Sequence, residues 1–243
     1  MAERIRLDIA LEQRGLVQSR ARGRDAILRG TVRVNGTPAS KPGALVGDGD
    51  RVEIDDPAGS YVSRAALKLI AGLDAARIEV AGKTCLDLGA STGGFTQVLV
   101  ERGAARVYAV DVGHGQLDPR VAAMPEVIGL EGVNAKDLTA EMIPAPIDIL
   151  VCDVSFVSVT KVLPSPLSLC RAVAVILIKP QFEVGRQHIG KGGLVADPAA
   201  SEAAADSVVR FVEAQGFSLI ASLPSPILGG DGNKEVVAAF RRR

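Results

Sequence analysis

Tryptophan is absent from this 243-residue chain, and aromatic residues make up only 3% of it. The hydrophobic residues, 47% of the total, are therefore mainly aliphatic, and the core has to be built from Val, Leu, Ile and Ala. Histidine occurs only as His114 and His188, too scattered for a metal cluster. The three cysteines, Cys85, Cys152 and Cys170, form no C-x-x-C pair, which argues against a zinc site and against a disulfide framework. Lys and Arg together number 28, as do Asp and Glu, so attraction to a polyanion can come only from local patches. No apolar run reaches the ~18 residues of a membrane span, and the first residues are polar. These absences lead to the expectation of a cytoplasmic protein with no bound metal and no membrane contact.

What is present is organised around Asp87-Leu88-Gly89-Ala90-Ser91-Thr92-Gly93-Gly94-Phe95. A short apolar run, residues 83–86, precedes it, and Phe95, Val98, Leu99 and Val100 follow near helical spacing up to Gly103. Strand, glycine turn and helix in that order open a nucleotide-binding βαβ unit, in which glycines admit a ligand to the backbone and the helix start offers free N–H groups. About twenty residues on, Arg106–Asp111 reads as a second strand whose terminal carboxylate is placed to bind ribose hydroxyls. Two ligands could use this geometry. The order acid, Gly89, Gly93-Gly94 breaks the dinucleotide fingerprint G-x-G-x-x-G, and it resembles the first motif of S-adenosylmethionine-dependent methyltransferases.

Residues 4–56 read as a unit of their own. A short helix from Leu7 stops at Gly15, a second runs from Arg20 to Arg29 behind an Ser19 cap, and residues 31–34 and 51–54 alternate as strands around Asn35-Gly36 and Gly47-Asp48-Gly49-Asp50 turns. Between Ser19 and Lys41, six cations (Arg20, Arg22, Arg24, Arg29, Arg33, Lys41) face the single acid Asp25, a local charge of +5. Such a run is either a solvated helix face or a phosphate-binding footprint. Residues 57–62 form a linker of turn composition, and 63–243 the second domain. There Ser63 is expected to cap a helix carrying Lys68, followed by alternating strand and helix signals that predict a mostly parallel sheet covered on both faces. Strands are expected at 127–130, 147–152, 172–178, 217–222 and 235–240, and a helix from Asp197-Pro198 to Gln215.

Ligands of open α/β sheets bind outside the carboxyl ends of the parallel strands, where Gly89, Asp111, Asp153 and Lys179 all stand. An aliphatic strand that ends in a lysine suits methyl transfer to a weakly acidic hydroxyl. Lys179, desolvated and near Lys68, would serve as base, while Asp153 and Glu235 would orient the two lysines. Cys85 and Cys152 lie in apolar strands and read as inert core thiols.

Two resemblances sharpen this. Arg6-Leu7-Asp8, Ser19-Arg20, Gly30-x-Val32-x-Val34-Asn35-Gly36 and Gly49-Asp50-Arg51-Val52 resemble the small RNA-binding domain of ribosomal-protein-S-four type. That likeness implies that Arg6, Arg20, Arg22, Arg24, Arg29, Arg33 and Lys41 contact structured RNA. Lys68, Asp153, Lys179 and Glu235 match in order the Lys-Asp-Lys-Glu tetrad of heat-shock-type ribose 2′-O-methyltransferases. With Val62-Ser63-Arg64, Asp153-Val154-Ser155-Phe156, Lys179-Pro180-Gln181-Phe182-Glu183 and Gly190-Lys191-Gly192-Gly193, the whole chain resembles the TlyA family. The resemblance implies a Rossmann-like methyltransferase fold with a seven-stranded, mostly parallel sheet whose last strand is antiparallel, behind a small α+β RNA-binding domain. It also implies S-adenosyl-L-methionine as cofactor, contacted by Asp87, Gly89, Ser91, Gly93, Gly94, Phe95, Asp111, Asp137 and Asp153. The implied partners are ribosomal RNA and ribosomal subunits rather than DNA, with cytidine ribose as acceptor; apart from the resemblance, a monomer is the expected form. Asp137 would face the adenine, or else act as a helix cap. A non-catalytic ribosome-binding protein and a membrane-active haemolysin are the rival functions, the second without a spanning segment or amphipathic basic helix to support it.

Overall fold

The computed structural model describes residues 4–243. The described residues divide into two compact units, the first ending at Ser60 and the second running from Tyr61 to Arg243.

The first unit is built from short pieces. Strand β1 (Ile5–Arg6) runs directly into helix α1 (Leu7–Gln13). Helix α2 (Arg20–Leu28) starts where the Ser19 hydroxyl accepts a hydrogen bond from Arg22 N, the expected cap. Strands β2 (Val32–Val34) and β3 (Thr37–Pro38) form a hairpin across Asn35-Gly36, both at positive φ as a type I′ turn requires. Strand β4 (Leu45–Val46) pairs antiparallel with β1, and β5 (Val52–Ile54) with β2. Leu7, Ala10, Leu11, Ala26, Ile27, Val32 and Val46 close a small core beneath them. Burying aliphatic side chains of this size is worth roughly 1.5–3 kcal/mol each for the larger ones, which is what holds so small a unit together.

The second unit is a three-layer α/β structure. Helix α3 (Ala66–Ala75) precedes strand β6 (Thr84–Leu88), helix α4 (Gly94–Glu101), strand β7 (Arg106–Asp111), the short helix α5 (Pro119–Ala122) and strand β8 (Val127–Glu131). Strand β9 (Ile147–Cys152) leads through α6 (Val159–Val162) and α7 (Pro164–Leu169) to β10 (Cys170–Ile178), and α8 (Pro180–Glu183) follows at once. Helix α9 (Pro198–Ala214), with Asp197 as its cap, then strands β11 (Phe217–Pro224) and β12 (Val236–Arg242) complete the chain. The seven strands lie in the order β11-β12-β10-β9-β6-β7-β8, and β12 alone runs against its neighbours. One apolar layer packs α3 and α4 against the sheet, the other α6, α7 and α9, and both are almost wholly aliphatic.

Helix α3 approaches the sheet closely because it has no side chain at Gly72. A β-carbon there would stand 2.6 Å from Val237 Cγ1 and 3.1 Å from Val175 Cγ1. The expectation that Ser63 caps this helix is not met. The helix begins at Ala66, while the Ser63 hydroxyl accepts from Ala65 N in a turn just before it.

Candidate active site

The turn after β6 sets the floor of the site. Gly89 has φ of 77°, and a β-carbon on it would lie 2.7 Å from the Asp153 carbonyl oxygen, so only glycine lets the β6 and β9 ends meet. Ser91, at φ of 47°, turns its N–H onto Asp111 Oδ2 at 2.8 Å, and Gly113 N donates to Asp111 Oδ1 at 2.8 Å. Asp111 is thereby fixed at the end of β7. A cavity of about 640 Å³ opens beside it, lined among others by Ser91, Asp111, Val112, Asn134, Lys136 and Asp153. A smaller hollow of about 160 Å³ shares Gly89, Ser91, Asp153 and Ser155 with it and adds Ser63, Gly94, Phe95 and Lys179.

These features fit S-adenosylmethionine. The larger cavity joins a carboxylate, an apolar strip at Val110, Val112 and Val133, and a close-approach glycine turn, so Asp111 would hold ribose hydroxyls and Gly89 would admit the amino-acid end.

The four residues of the expected tetrad form two ion pairs. Lys68, on α3, reaches Glu235 Oε2 at 2.5 Å just before β12, and both side chains are buried. Lys179, at the end of β10, stands 2.6 Å from Asp153 Oδ1 and donates to Ser155 Oγ at 2.7 Å. The Asp153 contact is an ion pair without hydrogen-bond alignment, whereas the Ser155 bond is aligned. Lys179 is 8% exposed, so its ammonium depends on these two partners. Ser155 was not singled out in the sequence, although it lies in the Asp153–Phe156 motif.

Other expected cofactor contacts fall elsewhere. Asp87 is fully buried in β6 and lines neither cavity; it accepts a hydrogen bond from Thr96 Oγ1 at 2.6 Å, and its Oδ1 has no partner. Burial, reinforced by Asp153, pushes its carboxyl up to about 7 against the opposing Thr96 bond. Asp137 is exposed, lines neither cavity and caps nothing; the cap of that short turn is Asn134, whose side chain accepts from Lys136 N. Gly93, at φ of 95°, packs against Leu117 and Val121. Desolvation lifts the Cys85 and Cys152 thiols to about 12, in keeping with core roles. Phe156, which carried no role in the sequence reading, is 92% exposed at φ of 67°, and its ring meets Phe182 at 5.5 Å.

In the first unit the cations divide. Arg24, Arg33 and Lys41 are exposed. Arg29 is not free for RNA: its guanidinium is 14% exposed and bonds Asp25 and both oxygens of Asp56. Arg22 bonds Gln18 and the Ala58 carbonyl. Arg6 and Arg20 share the buried carboxylate of Asp8. Asp8 and Asp56 lie outside the +5 stretch of residues 19–41, and the fold brings both back to its arginines.

Strand order, glycine turn and paired lysines define a Rossmann-like methyltransferase domain behind a small RNA-binding-type unit. Residues 61–242 match the FtsJ-like methyltransferase family and residues 5–52 the S4 domain. The 16S/23S rRNA (cytidine-2'-O)-methyltransferase TlyA of Mycobacterium tuberculosis is 44% identical over 97% of this chain and 89% of its own. Hemolysin A of Brachyspira hyodysenteriae is 39% identical over 97% of this chain and 99% of its own. A solved structure from Streptococcus thermophilus that carries the hemolysin label superposes with a TM-score of 0.76, at 33% identity, over 100% of this chain and 90% of that one. The chain belongs to the TlyA family of S4-plus-FtsJ-like methyltransferases.

Proposed function

We propose that the protein methylates the ribose 2′-hydroxyl of a cytidine in ribosomal RNA, with S-adenosyl-L-methionine as the donor. The observation that carries this reading is the pair of buried lysine–carboxylate contacts, Lys68–Glu235 and Lys179–Asp153, with the second lining the hollow that shares Gly89 and Ser91 with the larger cavity. The names of the TlyA relatives support the acceptor.

The cofactor, when bound, supplies a methyl group on a sulfonium, already a good leaving group. The chain's task is then to place the acceptor oxygen and take its proton. Lys179 Nζ acts as base in its neutral amine form, its own proton first lost to solvent: it takes the hydroxyl proton as the oxygen is methylated, and Asp153 neutralises the ammonium that results. Ser155 fixes the direction of Lys179 through the 2.7 Å bond. The Lys68–Glu235 pair keeps a second cation beside this end of the sheet without leaving it unpaired. Phe156, with its bare ring face beside Ser155, offers a stacking surface for the base of the target nucleotide. In the first unit Arg6, Arg20, Arg24, Arg33 and Lys41 would meet phosphates. No helix among the described residues is long and apolar enough to cross a membrane, which gives the haemolysin reading no helical route into a bilayer.

A base acceptor would need other groups. Methylation of a pyrimidine ring carbon uses a thiolate, and Cys152 is buried in β9 with its thiol near 12. The test is chemical: ribosomal RNA labelled by the enzyme should yield the label in an alkali-resistant dinucleotide, because methylation removes the 2′-hydroxyl that cleaves the chain. Label recovered wholly in mononucleotides after alkali would overturn the proposal.

A further inference from the structure

We infer that Asp8 is a positioning residue for RNA binding: it holds Arg6 and Arg20 on one buried carboxylate so that they meet a single phosphate, or two adjacent ones, as a preformed fork. This rests on the reading of the first unit as an RNA-binding module and adds the element that organises it.

Asp8 is 1% exposed, at the start of α1, and carries four hydrogen bonds on its two oxygens. Arg6 donates from Nε to Oδ1 at 2.9 Å and from Nη2 to Oδ2 at 3.0 Å, Arg20 from Nε to Oδ2 at 2.9 Å, and Ile9 N to Oδ1 at 3.1 Å. A carboxylate has about four acceptor positions, so this one is saturated. The two arginines nevertheless stay half exposed, at 45% and 55%. Arg20 spends only its Nε edge on Asp8, and its two Nη groups make no hydrogen bond among the described residues. A guanidinium has five N–H donors in a rigid plane, so it can bind a carboxylate along one edge and a phosphate along another.

The same residue also fixes its surroundings. Asp8 N donates to the Pro42 carbonyl at 3.0 Å, and Leu7 N to that of Ala44 at 2.7 Å, which pins the segment following Lys41 to the head of α1. Gly43 lies under the Arg6 guanidinium, whose Nη1 is 3.1 Å from where a β-carbon would stand. Two of the cations expected to contact RNA are thus organised around one acid. Two arginines and one carboxylate leave a net charge of +1 here, so the arrangement gives up half of the available cation charge. Order is what that loss provides, because two long side chains held in place have less entropy to lose on binding.

This gives a test whose sign decides. If Asp8 merely neutralises arginines, Asp8→Asn adds one positive charge to the patch and should tighten RNA binding. If Asp8 positions them, the same change should weaken binding to purified ribosomal RNA about five- to tenfold, and the loss should vanish in an Arg6→Ala/Arg20→Ala background. Equal or tighter binding by a folded Asp8→Asn protein overturns the inference. Should that variant fail to fold, Arg20→Lys carries the test, since it lies at the surface and keeps the charge. A lysine cannot serve Asp8 and a phosphate along two edges, so affinity should fall about as far as in Arg20→Ala, whereas wild-type affinity would overturn the inference. Failure of the wild-type protein itself to bind ribosomal RNA would instead refute the underlying RNA-binding reading.

Discussion

Asp87 shows how far a single residue can be read from the sequence. Its place before Gly89 matches an acid that holds a cofactor, yet in the structure it lies between Ala109 of β7 and Val151 of β9 and turns to the sheet face that α4 covers, where Thr96 meets it. Strands covered on both faces lack polar alternation, so the sequence offers no sign of which side an inner residue takes. The energetic result is a carboxyl whose charged form is disfavoured by burial and by the nearby acids Asp153 and Asp111. Its value rises from 3.8 to about 7 on folding. A raised carboxyl stabilises the fold fully below its unfolded value and loses that contribution as pH climbs through the folded one. The melting temperature should therefore fall as pH rises from about 4 to about 7 and level off above that, and Asp87→Asn, which cannot ionise, should flatten the fall. Parallel pH profiles for the two proteins would show that Asp87 does not titrate in this range.

At the scale of elements, most of the second unit was legible. The glycine turn, the aliphatic strands ending in Asp111, Asp153 and Lys179, and the Asp197-Pro198 helix start all stand where their patterns place them. Two-residue strands such as β1, β3 and β4 were not, since pairs that short have no period to detect. Nor was the coupling between α8 and the loop after β9, which depends on contacts across more than twenty residues. Glu183 accepts from Ser158 Oγ at 2.6 Å and Val159 N at 2.9 Å, while Phe182 meets Phe156. Helix α3 is the element that delivers Lys68, and its fit depends on Gly72. Gly72→Ala should force the helix off Val237, destabilise the protein by about 1–3 kcal/mol in denaturant titration, and lower turnover by shifting Lys68 from Glu235. Unchanged stability and turnover would mean that Val237 moves aside without cost.

For the whole molecule, a net charge of zero conceals a division of labour. Cations at the surface of the first unit are expected to gather RNA, and the paired lysines of the second to act on one hydroxyl. A basic stretch is visible in sequence, but its effective charge is not, because Asp8 and Asp56 reach the arginines only through the fold. Holding RNA, holding the cofactor and transferring the methyl group are thus three separable capacities. The measurement that tests this most directly compares all three in Lys179→Ala with the wild-type enzyme. Cofactor affinity and RNA affinity should each stay within about twofold, while single-turnover methyl transfer to ribosomal RNA should fall by at least about a hundredfold. Retention of more than about a tenth of the wild-type rate would contradict the assignment of Lys179 as the group that takes the ribose proton.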